Sequence, residues 1–291
     1  MAKALSEVKD QLRGNVVFIH QFAEELTPGG AKPMIEDGCL DGVDVIYGAH
    51  VHSPLEIGKV GTIVGPAMAT ADSFEVTVQG KGGHGATPHV TVDPVVVASH
   101  LILALQQIVA RQTDPLKSAV VTIGSIHGGN AFNVIPETVH LKGTVRVFDP
   151  EVHVNVQQSL QRIVDQVCSA FGAEGKLDYV HGYPTVVNHP EQTALVEEVA
   201  REVVGAHNVE TLAPMMGGED FAYYLQKVPG TFFFVGGRNE ALKAVYPHHH
   251  PRFDVDERSM LITGRIFIGA VLKEFGQAEA DTPAAGVLEA V

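Results

Sequence analysis

The stretch that decides the fold is Val16-Val17-Phe18-Ile19-His20-Gln21-Phe22-Ala23-Glu24-Glu25, which is followed by the turn Thr27-Pro28-Gly29-Gly30. The continuous apolar run at its start is typical of a strand that is buried on both faces. Glu24 and Glu25 then come where this strand should end. A random pair of this kind is most often a solvated loop, because charged side chains are seldom buried without compensation. Open α/β sheets place their sites at the carboxyl ends of strands, so we predict a functional site at this pair.

Histidines extend this prediction to other strand ends. Gly48-Ala49-His50-Val51 ends a second apolar run, Val43–Tyr47, and the cluster His248-His249-His250 follows much later in the chain. Neutral imidazole is the commonest metal ligand in proteins, although surface histidines are common too. Together with the carboxylate pair, these histidines predict a metal site built at strand ends.

Composition limits the class of protein. The 291 residues allow one large domain or two ordinary ones, and the hydrophobic content of 45% is that of a soluble globular protein. The net charge of -14 argues against nucleic acid and anionic membranes as partners. Cys39 and Cys168 lie far apart and outside any CxxC pattern, which fits a reducing cytoplasm. The start has no apolar signal core, and we judged no stretch long enough to span a bilayer, so we expect a cytoplasmic protein.

Residues 71–183 form a segment with its own pattern of predicted strands and helices, which we call the inserted domain. It has four predicted strands and two predicted helices, in the order Ser73–Gln79, helix Pro94–Arg111, Ala119–Ile126, Thr138–Val147, helix Pro150–Phe171 and Lys176–His181. The order β-α-β-β-α-β predicts a ferredoxin-like arrangement, with an antiparallel sheet and two helices on one face.

Residues 1–70 and 184–276 together predict an α/β domain, which we call the flanking domain. Its predicted elements are helices at Ala2–Arg13, Ala31–Asp37, Gln192–Val204, Asp220–Leu225 and Ser259–Phe275, and strands at Val16–Gln21, Val43–Tyr47, Thr211–Leu212 and Thr231–Val235. Glu56–Val64 carries Gly58 and Gly61, is followed by Gly65, and should be a hairpin or an irregular edge. Residues 277–291, rich in alanine and acidic residues, predict a disordered tail.

Several motifs, taken in order, resemble those of the M20 metallopeptidases. The matching stretches are His20-Gln21-Phe22-Ala23-Glu24-Glu25, Met34-Ile35-Glu36-Asp37-Gly38, Gly48-Ala49-His50-Val51, Gly80-Lys81-Gly82-Gly83-His84-Gly85-Ala86, Asn133-Val134-Ile135-Pro136, Gly143-Thr144-Val145-Arg146, Met216-Gly217-Gly218-Glu219-Asp220-Phe221 and His249-His250-Pro251-Arg252-Phe253-Asp254. They cover the chain to about Phe275 and are most similar to the amidohydrolase branch, which includes N-acyl-amino-acid amidohydrolases, hippurate hydrolases and auxin-conjugate hydrolases. The resemblance implies a zinc-peptidase-like α/β catalytic domain with an inserted lid and dimerisation domain.

The resemblance also implies a metal-dependent reaction. In the family the first Glu of the pair is the general base and the second binds metal, which assigns these roles to Glu24 and Glu25. His50 and His249 would be the further metal ligands, and His248 and His250 their neighbours. The implied reaction is hydrolysis of the amide bond of an N-acyl or N-aroyl amino acid by a metal-activated water.

Residues of the inserted domain and of a later glycine-rich loop would contact the substrate. By resemblance, His84 reaches across a homodimer to stabilise the oxyanion, and Asn133 and Arg146 hold the substrate carboxylate. Gly217 and Gly218 would border the substrate, beside a Glu that binds or orients. The glycine-rich loop around His84 lacks the following Gly-Lys-Ser/Thr, so a P-loop is unsupported, and a strand-surface salt bridge is the alternative role for Arg146.

One part of the family pattern is expected upstream of this chain. The family has an earlier motif, His-x-Cys-Gly-His-Asp, within roughly a hundred residues that would precede the helix Ala2–Arg13. Of the five ligands of the family's two-metal site, Glu25, His50 and His249 are present here, and three ligands suffice for a mononuclear site. Zn or Mn suits such ligands.

Two other hypotheses remain open. The chain could be a non-catalytic remnant that dimerises or binds amino-acid-like ligands, or a fragment without a stable fold.

Overall fold

The computed structural model describes residues 1–276. It is a mixed α/β structure with two main sheets, as the sequence predicts. The tail predicted to be disordered, residues 277–291, lies outside the described residues.

The helices and strands follow the predicted order over most of the chain. Residues 1–70 contain α1 (Ala2–Glu7), α2 (Ala31–Glu36), β1 (Ile46–Glu56), β2 (Val60–Thr62) and β3 (Gly65–Met68). The inserted domain contains β4 (Ala71–Gln79), β5 (Gly83–His84), α3 (Pro94–Leu105), α4 (Gln107–Gln112), β6 (Ala119–His127), β7 (Val134–Ile135), β8 (Thr138–Val147), α5 (Pro150–Ala170) and β9 (Glu174–Tyr183). Residues 184–276 contain β10 (Val186–Asn188), α6 (Pro190–Val204), β11 (Val209–Thr211), α7 (Ala222–Leu225), β12 (Gly230–Arg238) and α8 (Arg258–Glu274).

The inserted domain is built on a four-stranded sheet in the order β6-β8-β4-β9. Every neighbouring pair in it is antiparallel, and Val76 of β4 lies opposite Leu141 of β8 and Leu177 of β9. Alternate residues of β4 point into a core that is closed by apolar side chains of α3, α4 and α5, such as Leu160. The βαββαβ topology confirms the predicted ferredoxin-like arrangement.

Aspartates start the two long helices of this domain. The Asp93 carboxylate accepts the backbone N–H of Val95 at 2.9 Å, and Asp149 accepts those of Glu151 and Val152 at 2.8 and 3.1 Å. A proline follows each aspartate at the first helical position, where its missing N–H costs nothing. The Asp-Pro pairs thus fix where both helices begin.

The predicted helix Pro94–Arg111 is divided at Gln106 into α3 and α4. By length and composition alone, the 19 residues Pro94–Gln112 are long and apolar enough to cross a membrane, contrary to the expectation that no stretch could span a bilayer. A third of this stretch is buried inside the structure, and Leu101 and Leu105 are in the core of the inserted domain.

The flanking sheet has the order β1-β12-β2-β11. β12 lies parallel to β1 and antiparallel to β2, so the Phe-rich strand is covered on both sides. Because side chains alternate along a strand, Phe232 and Phe234 enter one core with Phe221, whereas Phe233 enters a second core with Ile266 of α8. The side chains of β12 therefore contribute to two cores of the flanking domain.

The predicted strand Val16–Gln21 is wrong. The segment is extended but has no strand pairing within residues 1–276, and the side chain of Val17 is 56% exposed. An apolar run becomes a buried strand only when neighbouring strands satisfy its backbone groups and cover its faces. In the described residues β1 is the edge of the sheet, and nothing pairs with its free side.

Two smaller predictions also differ from the structure. The helix predicted at Ala2–Arg13 ends at Glu7 and continues as a 3-10 turn, Lys9–Gln11. Glu56–Val64 is not a hairpin, because β2 pairs with β12 and β11 rather than with β1. The glycines instead let the chain pass from one side of β12 to the other.

The two cysteines lie in different cores. Cys39 is half-buried against the apolar cluster around Phe221, and Cys168 is fully buried in the core of the inserted domain. Both thiols are free, and burial raises the pKa of each.

Candidate active site

The loop that carries Glu24 and Glu25 is held by a buried aspartate. Asp220, at the start of the turn before α7, accepts the Gln21 side-chain amide at 2.6 Å and the Ala31 backbone N–H at 3.0 Å. Gly29 has a φ of +82°, and a Cβ there would overlap the Asp220 carboxylate. The loop is therefore fastened at both ends to one side chain, and glycine is required where it passes closest.

Glu24 faces this buried group. Its carboxylate lies with those of Glu219 and Asp220 in a set whose oxygens are all within 4.8 Å of one another. Burial, with the nearby Glu25 and Asp220, raises the pKa of Glu24. Burial, with the nearby Glu24, raises the pKa of Glu219 to about 8. Burial thus shifts both carboxyl groups toward the protonated form, and perturbed pKa values of this kind are common among acid–base catalysts.

Glu25 lies near His249. The Glu25 carboxylate oxygen lies 3.9 Å from His249 Nε2, and the two side chains are 71% and 75% exposed. His249 has a φ of +64°, and Ala23, just before the pair, has a φ of +54°. Left-handed backbone is uncommon for residues other than glycine and tends to mark functional sites. The chain thus brings together two predicted ligands from opposite ends of the sequence.

His50 is positioned by β1 and by one backbone bond. It lies opposite Phe234 in the sheet, and its Nδ1–H donates to the carbonyl oxygen of Val51 at 2.7 Å. That bond fixes the tautomer and leaves Nε2 with its lone pair, as in metal-binding histidines.

His248 packs against His50, with ring centroids 5.0 Å apart and perpendicular planes. Its Nε2 accepts the Ser53 N–H at 3.2 Å, so His248 is anchored to β1. Burial, then the neighbouring histidines, lowers the pKa of His248, which favours its neutral form. In the described chain Glu25, His50 and His249 do not all come within 4.8 Å of one another.

His84 and Asn133 are brought together on a small ribbon of the inserted domain. β5 pairs with β7, so His84 lies opposite Val134, and the Gly85 N–H donates to the Asn133 carbonyl at 2.8 Å. His84 Nδ1 accepts the Ala86 N–H at 3.0 Å. Both His84 and Asn133 are exposed. Two residues that the resemblance assigns to substrate therefore share one surface.

Arg146 lies half-buried on β8, at the root of the inserted domain. It donates to the Thr70 carbonyl at 3.4 Å, and burial lowers its pKa. Within residues 1–276 it forms no salt bridge, so the alternative of a strand-surface ion pair is not realised there. A guanidinium without a bound carboxylate remains available to one from a ligand.

Gly217 and Gly218 lie where the two domains meet. A Cβ at Gly218 would overlap the Cβ of Ala71, the first residue of the inserted domain, and one at Gly217 would come within 3.2 Å of Met68. Close packing at the junction thus requires glycine at 218, in addition to any contact with substrate.

Sequence reasoning missed the role of Asp220 and ranked Glu219 low. Their position directly after two glycines was the available signal, since buried carboxylates need specific partners. It also missed Tyr183, whose hydroxyl donates to the Glu24 carbonyl oxygen at 2.6 Å.

Comparison with known proteins places this arrangement in a family. The sequence pattern of the peptidase family M20/M25/M40 matches residues 1–273. YhaA of Bacillus subtilis, a candidate amidohydrolase, is 46% identical over 272 residues, which are 94% of this chain and 69% of that protein. An N-acetyl-L-cysteine deacetylase of the same organism is 42% identical over 257 residues, which are 88% of this chain and 60% of that protein.

Solved structures agree with the sequence matches. A candidate aminohydrolase from methicillin-resistant Staphylococcus aureus has a TM-score of 0.85 at 39% identity and aligns over 94% of this chain and 70% of its own. A Bacillus subtilis protein described as a dinuclear metal-binding peptidase of the M20 family has a TM-score of 0.77 at 30% identity. The match covers 94% of this chain and 69% of that protein.

This chain thus spans 60 to 70% of the length of the four proteins named. The family pattern covers nearly all the described residues, and the similarity extends over both domains. The chain belongs to the peptidase family M20/M25/M40.

Proposed function

We propose that this chain supplies the catalytic groups of a metal-dependent amidohydrolase that cleaves the amide bond of N-acyl or N-aroyl amino acids. The observation that carries the proposal is that the two adjacent carboxylates have different neighbours. Glu24 faces the buried Glu219 and Asp220, whereas Glu25 faces His249. One carboxylate is thereby suited to proton transfer and its neighbour to a metal. The name of the deacetylase relative supports an acylated amino acid as substrate.

Glu25, His50 and His249 would hold the metal. One carboxylate and two imidazoles suit Zn or Mn, and the bond from His50 Nδ1–H to Val51 leaves Nε2 as the donor atom. When bound, a divalent metal supplies Lewis acidity at the amide carbonyl and lowers the pKa of water. Proteins of the family are expected to bind two metals, and these three residues would hold one of them.

Glu24 would act as general base and then general acid. Its raised pKa favours accepting a proton, which the same carboxyl group would then return to the leaving amine. The bond from Tyr183 to the Glu24 carbonyl and the clamp by Asp220 hold the backbone that carries this carboxylate. Glu24 can therefore transfer a proton without a large movement of the loop.

The inserted domain would bind the substrate and a second copy of the chain. Arg146 would bind the substrate carboxylate, and His84 and Asn133 share the exposed ribbon. β6 is an edge strand, and Leu103 on α3 of the same domain is 70% exposed. Within residues 1–276, the unpaired edge and the exposed apolar side chains of this domain favour a homodimer in which His84 acts on the partner's site. A cytoplasmic location stays a prediction.

The experiment is hydrolysis of N-acetyl and N-benzoyl amino acids after loading with Zn or Mn. We expect Glu24→Gln to lower kcat by about 10²–10⁴, because the proton acceptor is lost. Metal content should stay unchanged, since Glu24 is not a ligand. Glu7→Gln, a change at an exposed carboxylate of α1, is the matched control. Normal turnover by Glu24→Gln would refute its role.

A second candidate is a ligand-binding protein without catalysis. The separation of His50 from the Glu25–His249 pair favours it, because a metal site needs its donors close together. Calorimetry with N-acyl amino acids distinguishes the two, since this candidate requires binding without turnover in the metal-loaded chain.

A further inference from the structure

A group of side chains that could hold a metal ion lies at the root of the inserted domain. Asp72 of β4, His153 of α5 and His181 of β9 each offer a ligand atom, and these atoms all lie within 4.8 Å of one another. The Asp72 side chain is only 2% exposed and contacts His153 Nε2 directly. None of these residues belongs to the candidate active site.

The Asp72 carboxylate is oriented by further hydrogen bonds. Its Oδ1 accepts the Gly182 N–H at 2.9 Å, and its Oδ2 accepts the Tyr179 hydroxyl at 2.6 Å. Carboxylates held by a phenol and a backbone N–H are typical of metal ligands with ordered outer partners.

The two imidazoles approach this carboxylate from different directions. The rings of His153 and His181 have centroids 5.5 Å apart with nearly perpendicular planes, and the Tyr179 ring lies 5.0 Å from that of His181. His181 is exposed, so it can turn toward a bound ion without disturbing the core, and solvent can fill a further position. Donors buried on one side and open on the other leave a path for a metal to enter.

We propose that Asp72, His153 and His181 bind a divalent transition metal at a site separate from the catalytic groups. Two imidazoles and one carboxylate select Zn²⁺ or a similar ion over Mg²⁺ or Ca²⁺, which prefer oxygen ligands throughout. The fourth position is taken by water.

The position of the site gives it a structural role. Asp72 follows the first residue of the inserted domain, and His181 lies two residues before Tyr183, where β9 ends. His153 is in the first turns of α5. A metal there joins both strands that connect the domains to the long helix, so its binding stiffens the junction that sets the position of the inserted domain.

The test uses Co²⁺, whose visible absorption reports low-coordinate nitrogen and oxygen ligation. The full chain first receives Glu25→Gln and His249→Ala, which remove two exposed predicted ligands of the other site. We expect this background to bind one equivalent of Co²⁺. Adding His181→Ala should weaken binding about tenfold or more, the scale of changes around metal sites. Zn²⁺ should raise Tm in the background and not in this variant.

His140→Ala is the matched control, because His140 is an exposed histidine of β8 in the same sheet. It should leave Co²⁺ affinity unchanged. His153→Gln provides a second variant, and circular dichroism confirms that each chain is folded. Failure of the background to bind Co²⁺, or equal affinity of the His181→Ala and His140→Ala chains, would overturn the proposal.

Discussion

The inserted domain and the loop of residues 16–30 are stabilised in different ways. The inserted domain has four strands in register and helices that start at Asp-Pro pairs, and its largest apolar side chains are fully buried. The loop has no strand partner within residues 1–276, and its position depends on Asp220 and a few close contacts. The proposed scaffold is thus held by many distributed interactions, whereas the proposed catalytic carboxylates are held by a few specific ones. Sites that must bind and release ligands are often built in this way.

The largest expected effect is a loss of stability when the core of the inserted domain is changed. Leu160→Ala removes a fully buried side chain and should lower the free energy of unfolding by about 2–5 kcal/mol. Leu26→Ala makes the same chemical change in the loop, where the side chain is exposed, and should change stability by less than about 0.5 kcal/mol. Urea unfolding of the two variants measures the contrast. Equal losses would mean that the loop packs more tightly than its exposure indicates.

A smaller loss of stability is expected when the contacts that hold the loop of residues 16–30 are removed. Asp220→Ala leaves the Gln21 amide and the Ala31 N–H without their acceptor, at a cost of about 1–3 kcal/mol. Hydrogen exchange should become faster in residues 21–31 and stay unchanged in β4. Asp44→Ala, at an exposed aspartate, is the control. Unchanged exchange around Ala31 would show that other contacts hold the loop.

Over a single pH unit, the smallest effect is a pH dependence of the stability of the metal-free chain. Burial raises the pKa of Glu219 from 4.5 to about 8, so the folded state holds this proton more tightly than the unfolded state. The stabilisation is fully present below about pH 4.5 and is lost as the pH rises toward 8. Glu219→Gln should remove this dependence, whose slope is at most about 1.4 kcal/mol per pH unit. Chemical unfolding at several pH values measures it, and identical slopes in both chains would place the proton elsewhere.

Sequence reasoning was most successful in the inserted domain because its patterns are local. Strand alternation from Ser73 to Gln79 and the apolar stripe of α5 are decided by neighbours within each element. The ferredoxin-like order then follows from a small set of allowed topologies.

Sequence reasoning was less successful for Val16–Gln21, because burial of that apolar run depends on pairing with strands that are distant in the sequence. The apolar residues are the same in either case, and only the pairing decides whether they form a strand.

The sequence predicts which residues belong to the candidate site more fully than it predicts how they contact one another. The motifs indicated Glu24, Glu25 and His249, and in the structure Glu25 lies near His249 while Glu24 lies with Glu219 and Asp220. No local pattern indicated that His248 would pack on His50, or that Asp220 would clamp the loop from far along the chain. Contacts of this range depend on the tertiary fold.

The placement of the two cysteines provides an internal reporter for each domain. Cys168 becomes accessible to a thiol reagent only when the core of the inserted domain opens, whereas Cys39 reports on the core beside β12. Their labelling rates can be separated by mass, so the opening free energies of the two domains can be measured in one unmodified chain. The molecule therefore permits direct observation of whether its two halves unfold together or in sequence.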